Sequence, residues 1–232
     1  MTTLPSPPDS STPRPFVWTL VCLIFLALWP TVWTHLDLKA AAIFSGTDVV
    51  LRAVEWPWVE WINAWIPAVF RTVLILCLLA WGMTWLFPKY REWRFALAFV
   101  VVAGTLGPGL LVNLGFKDNW QRARPYQVEP FGGTKQFTRA AVMTDQCDNN
   151  CSFVSGHVAC GYFLVGMALV HRRRQLLWTA AGVASGLAIG FARMADSAHW
   201  LSDVLWAGPI TLTCSWTVWR AMLWLGARNS GN

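Results

Sequence analysis

Six stretches of this chain are apolar for long enough to cross a bilayer, which restricts the fold to one whose backbone satisfies its own hydrogen bonds. The runs are residues 16–33, 67–86, 95–116, 153–170, 176–194 and 204–226, each close to the roughly 20 residues that span about 30 Å of hydrocarbon as a helix. With 55% hydrophobic and 13% charged residues, the chain is too apolar for an ordinary soluble domain. The expected fold is all-α: a polytopic membrane protein, six transmembrane helices in one bundle, occupying residues 16–228. Residues 1–15 are rich in Pro, Ser and Thr and have little to bury, so a disordered tail is expected there. The first run exceeds a typical export-signal core and lacks a clear small-residue cleavage site, so it reads as a retained span.

Basic residues crowd two short loops, at Lys89, Arg91 and Arg94 and at Arg172, Arg173 and Arg174. Such loops stay on the cytoplasmic side. With six spans, both termini are then cytoplasmic, and the long loop 117–152 and the turn 193–203 face outward, toward the periplasm of a cell with an inner membrane. The net charge of +6 is scattered among the spans and forms no continuous stripe, which argues for anionic lipid as partner and against nucleic acid. Many of the 17 tryptophans sit near span ends, as interfacial indoles do. Trp58, Trp61 and Trp65 fall at helical spacing in the first outer loop, and an interfacial helix is expected there, either packed on the bundle or receiving lipid head groups.

Cys22, Cys77, Cys160 and Cys214 lie inside apolar runs and read as small core residues. Cys147 and Cys151 lie in the outer loop, where an oxidising compartment favours a disulfide over two free thiols. A zinc pair is disfavoured, since no second ligand pair follows at the usual spacing.

Three groups of chemically capable residues fall at span ends on the same outer side. Lys117 and Arg124, seven apart, would share a helical face that Pro125 then ends; the pair suits a phosphate, and equally the phosphates of lipids. Ser155, Gly156 and His157 open the fourth span, where unpaired backbone N–H groups and the helix dipole attract an anion. His157 there could donate a proton, or simply sit at the interface. Arg193, His199 and Asp203 form the third group. On one helical face, Asp203 would hold one ring nitrogen of His199 and free the other as a nucleophile, with Arg193 gripping the phosphate. A plain capping role is credible for Asp203 but leaves His199 and Arg193 unexplained.

In this order and spacing, the residues Lys117-x6-Arg124-Pro125, Ser155-Gly156-His157 and Arg193-x5-His199-x3-Asp203 resemble the signature of the type 2 phosphatidic acid phosphatase (PAP2) superfamily, which also includes vanadium haloperoxidases. The resemblance implies an integral membrane phosphatase with His199 as the nucleophile of a phosphohistidine route, Asp203 orienting it and His157 protonating the leaving group. It implies Lys117, Arg124, Ser155, Gly156 and Arg193 as the phosphate-binding set, and no metal or other cofactor. Val154 stands where the family has a proline and Ala192 where it has a serine. The expected substrate is a phosphorylated lipid. The stretch 147–157 further resembles the lipid A phosphatase branch; undecaprenyl diphosphate, phosphatidylglycerol phosphate and phosphatidic acid are alternatives. A lipid phosphotransferase or a non-catalytic phosphate or lipid carrier are the competing activities, and the His199 and Asp203 pair argues against the carrier.

Overall fold

The computed structural model describes residues 10–46 and 51–229, and among them the regular structure is helical, apart from one isolated bridge between Val128 and Lys135. The elements are α1 (Arg14–Val32), α2 (His35–Ala42), α3 (Pro57–Leu86), α4 (Arg94–Gly104) running on as a wider π-type helix (Thr105–Lys117), the single turn α5 (Asp118–Trp120), α6 (Gly156–Val170), α7 (Gln175–Ala195) and α8 (Leu201–Asn229). Residues 1–9 of the expected tail lie outside the described residues. Ser10 and Thr12 meet α8, where Arg220 donates to the Ser10 carbonyl and the Trp216 indole to the Thr12 hydroxyl.

The chain is a membrane protein by the character of these helices. Four stretches are long and apolar enough to cross a membrane: Arg14–Val32, Pro57–Leu86, Pro88–Lys117 and Arg172–Ala195. α6 is apolar but has only 15 residues, and α8 has 29 with more polar side chains, so length and composition alone single out four of the six expected spans. Leu76, Leu79 and Leu86 on α3 point out of the bundle, as side chains meeting lipid do.

One expectation about α3 is corrected. Its first three turns contain the tryptophan-rich segment, so Trp58, Trp61 and Trp65 form no separate interfacial helix; the helix runs unbroken through Pro67. The proline follows ten helical residues, and the Asn63 carbonyl, which it leaves without a backbone N–H partner, lies 3.2 Å from His157 Nε2.

α6 is the central helix, buried along most of its length, and it packs most extensively on α7. Small residues let the two backbones approach: a Cβ on Gly161 would come within 2.9 Å of the Gly186 backbone nitrogen, and one on Gly186 within 2.5 Å of the Tyr162 ring. Successive helices alternate direction, so the starts of α3, α6 and α8 and the ends of the π-type segment and α7 gather at one end of the bundle. The basic turns Pro88–Trp93 and Arg172–Arg174 lie at the other.

Candidate active site

At the gathered end three helices start and two stop, and their free backbone groups must be satisfied; much of the site is made of that requirement. Gly156 begins α6 after Ser155 at the N-cap, in extended conformation. The Ser155 side chain makes no capping bond, and its hydroxyl is buried without a protein partner. A buried hydroxyl left open beside the free N–H groups of a helix start is a donor set awaiting an anion. Gly156 also lies close to the π-type segment: a Cβ there would sit 3.0 Å from the Asn113 amide oxygen.

His199 does not lie on α8 with Asp203, as helical spacing suggested. α7 ends at Ala195, Ser197 turns the chain with a positive φ of 51°, and α8 starts only at Leu201. Asp203 sits in the first turn of α8, where one oxygen, Oδ2, accepts the Trp200 backbone N–H at 3.0 Å and the Ser152 hydroxyl. This is the reciprocal reach of a capping carboxylate. Its other oxygen receives Arg122 Nη1 at 2.5 Å. His199 Nδ1 therefore stands 3.7 Å from Asp203 Oδ2, beside a carboxylate already engaged, with no hydrogen-bond partner of its own.

The imidazole of His199 is only 2% exposed. Burial, above all, pushes its pKa down to about 3; Asp203 opposes this, and the nearby charges of Arg193 and Arg124 add to it. Both guanidinium groups are therefore within electrostatic reach of the ring. The ring is neutral at physiological pH, as a nitrogen nucleophile must be.

The three phosphate-site cations are held by different means. Lys117 and Arg124 do not share a helical face: the helix stops at Trp120, Gln121 takes φ 48°, and Arg124 is extended. They meet instead on Asn150, whose carbonyl receives Arg124 Nε at 3.0 Å and Nη2 at 2.6 Å, and whose side-chain oxygen receives Lys117 Nζ at 3.1 Å. Asn150 has a positive φ of 50° and lies inside the five-residue loop whose ends, Cys147 and Cys151, have bonded sulfurs and Cα atoms 5.7 Å apart. Arg193 pairs with Asp196 at 3.0 Å. His157 Nε2 lies 3.2 Å from the Asn63 carbonyl on α3, a contact that puts the hydrogen on Nε2 and leaves Nδ1 to receive or deliver a proton.

Sequence reasoning missed the frame behind these groups. Arg122 is fully buried and donates to Asp203, to Asp37 Oδ2 at 2.7 Å, to the Ser202 hydroxyl at 2.8 Å and to the Thr138 carbonyl at 2.8 Å. Asp37, on α2, also accepts the Ser202 backbone N–H at 2.8 Å. One arginine thus ties α2, the segment before Arg124 and the start of α8 together. The available signal was a third basic residue two positions before Arg124, and a lone carboxylate just past the first span.

A family model described as the PAP2 superfamily matches residues 93–227. The chain belongs to the PAP2 superfamily. All nine residues of the three motifs fall inside the PAP2 match, whereas Asp37 and Asn63 approach the site from helices that precede it. A lipid A 4'-phosphatase of Francisella tularensis subsp. novicida (strain U112) is 36% identical over 214 residues, 88% of this chain and 93% of the relative. Lipid A 4'-phosphatases of Rhizobium leguminosarum and Rhizobium etli are 32% and 33% identical over 57% and 56% of the chain, and 55% and 50% of their own lengths. No solved structure matches this PAP2 chain.

Proposed function

We propose that this protein is a membrane lipid phosphatase that removes a phosphate from lipid A at the periplasmic face of an inner membrane. The observation that carries the reading is the buried His199, held neutral by burial within electrostatic reach of Arg124 and Arg193, in a chain similar along most of its length to a lipid A 4'-phosphatase. The two basic turns at the end opposite the site support the orientation, with both termini cytoplasmic and α6 and α8 completing six spans.

In the proposed reaction, the phosphate sits between Arg124, Arg193, Lys117, the Ser155 hydroxyl and the N–H groups at the start of α6. Cations and oriented donors there stabilise the charge spread over the equatorial oxygens in transfer. Neutral His199 attacks phosphorus through Nε2, and the bond to the lipid oxygen breaks. Protonated His157 gives its Nδ1 proton to that oxygen, so the lipid leaves as an alcohol. His199 is then a cationic phosphoimidazole, which Asp203 stabilises across the 3.7 Å gap. Water, deprotonated by His157, attacks phosphorus and restores His199 as inorganic phosphate departs.

The test is free-phosphate release by the purified protein, offered lipid A, phosphatidic acid, phosphatidylglycerol phosphate, undecaprenyl diphosphate and a soluble phosphate ester. The expected result is release from lipid A, abolished in His199→Ala. Release from the soluble ester alone, or wild-type turnover by His199→Ala, overturns the proposal.

A further inference from the structure

One arginine lies where a charge is least expected. Arg71 stands on α3, eight residues beyond Asn63, the level at which His157 is held; that is about 12 Å of helix rise into the bundle. A charged residue this far inside a span is expensive unless something meets it. Among the described residues, Arg71 has no hydrogen bond or ion pair with the protein. It lines a cavity of about 320 Å³ whose wall also includes Lys117, Gly156 and His157 and contains no carboxylate. Side chains on a helix lean toward its N-terminus, so the Arg71 side chain leans back toward the outer end of α3, the end at which His157 is held.

The Arg71 Cα thus lies inward of the level at which His157 is held, while its side chain shares the cavity wall with His157 and Lys117. Below Arg71 the surroundings turn apolar. A second cavity of about 350 Å³, between α3, α4, α6 and α7, shares Phe70, Leu74 and Cys160 with the first and is lined almost wholly by hydrocarbon. From the site inward, a substrate would therefore meet cations, then one isolated five-donor fork, then a greasy slot. A lipid with that order of chemistry carries a phosphate, then a carbonyl at the acyl linkage, then a fatty chain.

We infer that Arg71 is a substrate-binding residue that donates to the acyl carbonyl next to the phosphate-bearing carbon, selecting acylated lipid phosphates over isoprenoid ones. The inference rests on the lipid phosphatase reading and names the part of the lipid that this cleft reads. A guanidinium bond to a carbonyl is charge-assisted and strong enough to change affinity.

The experiment compares two synthetic glucosamine 4-phosphates with chains of equal length, one linked at O3 by an ester and the other by an ether, which lacks the carbonyl. The wild type is expected to show a KM about tenfold or more lower for the ester, with similar kcat for both. In Arg71→Leu the two KM values converge, through loss on the ester, and Arg71→Lys keeps part of the preference. An ester and ether preference that is equal in wild type, or one that survives Arg71→Leu, overturns the inference. So does an equal loss on both lipids in Arg71→Leu, which would assign the residue to the common phosphate. Failure of the wild type to release phosphate from either lipid refutes the phosphatase reading itself, and is distinguishable from these results.

Discussion

Replacing Arg122 with leucine removes the positive charge that lies between two carboxylates with no access to solvent. Asp37 and Asp203 are both fully buried, and each uses one oxygen on this guanidinium, at 2.7 and 2.5 Å. Arg122 also supplies bonds to Thr138 and Ser202, so truncation strands four acceptors at once. Removing one partner from a buried ion pair is destabilising by about 3–5 kcal/mol, because the remaining charge is left without compensation. For a chain of this size that corresponds to a fall in melting temperature of about 6–20 °C. The assay is thermal unfolding of the purified protein in detergent, followed by tryptophan fluorescence. Asp37→Asn serves as the internal comparison. The trio carries two negative charges and one positive, burial already raises the Asp37 pKa with Arg122 opposing it, and neutralising that carboxylate leaves the Arg122 and Asp203 pair balanced. Asp37→Asn is therefore expected to cost about 1 kcal/mol, roughly one hydrogen bond. An Arg122→Leu protein melting within about 2 °C of wild type, or an Asp37→Asn protein as unstable as Arg122→Leu, would refute the reasoning.

Three further outcomes follow from the site. The folded pKa of His199 is about 3, below its ordinary value near 6.5. The unfolded chain thus takes up a proton that the fold refuses, and stability is lost as pH falls through 6.5 toward 3, by about 1.4 kcal/mol per unit. His199→Asn lacks this dependence, so the stability of wild type relative to the variant should drop by about 2 kcal/mol between pH 7 and pH 5; a constant difference contradicts the burial of a neutral ring. The Ser155 hydroxyl is buried with no protein partner, so Ser155→Ala should lower kcat/KM about tenfold without lowering the melting temperature; lost stability would mean that the hydroxyl serves the fold. Asn150 reaches both Lys117 and Arg124 from inside the loop closed by Cys147 and Cys151. Cys147→Ser with Cys151→Ser, or a reductant on the wild type, should slow turnover about ten- to hundredfold by displacing those cations, and unchanged rates would show that the loop does not position them.

The parts of the site that could be read from the sequence were those that chemistry fixes by residue type. A phosphate site needs cations, a helix start and a nitrogen nucleophile, and Lys117, Arg124, Ser155, Gly156, Arg193 and His199 carry those roles wherever they sit. Their geometry was harder to read. Helical spacing was assumed for Lys117 with Arg124 and for His199 with Asp203, and in both cases a helix boundary falls between the two residues, at Gln121 and at Leu201. The groups still converge, because a hydrogen-bonded frame replaces the shared helical face. That frame was invisible because its members are distant in sequence: Asp37 meets Arg122 across 85 positions, Asn63 meets His157 across 94, and Arg122 meets Asp203 across 81. Apolar runs located the helices well, since hydrocarbon length is a strong constraint. They could not tell an interfacial helix from the outer turns of α3, because both present tryptophans at the same spacing.

The most direct test of the account is whether phosphate passes through the imidazole of His199. Brief incubation of the protein with lipid A labelled with ³²P in its 4'-phosphate, followed by alkaline quenching and peptide mapping, should recover acid-labile, alkali-stable label on the peptide containing His199, and none from His199→Asn. Label on another residue, or turnover of wild-type magnitude in His199→Asn, would contradict the central claim.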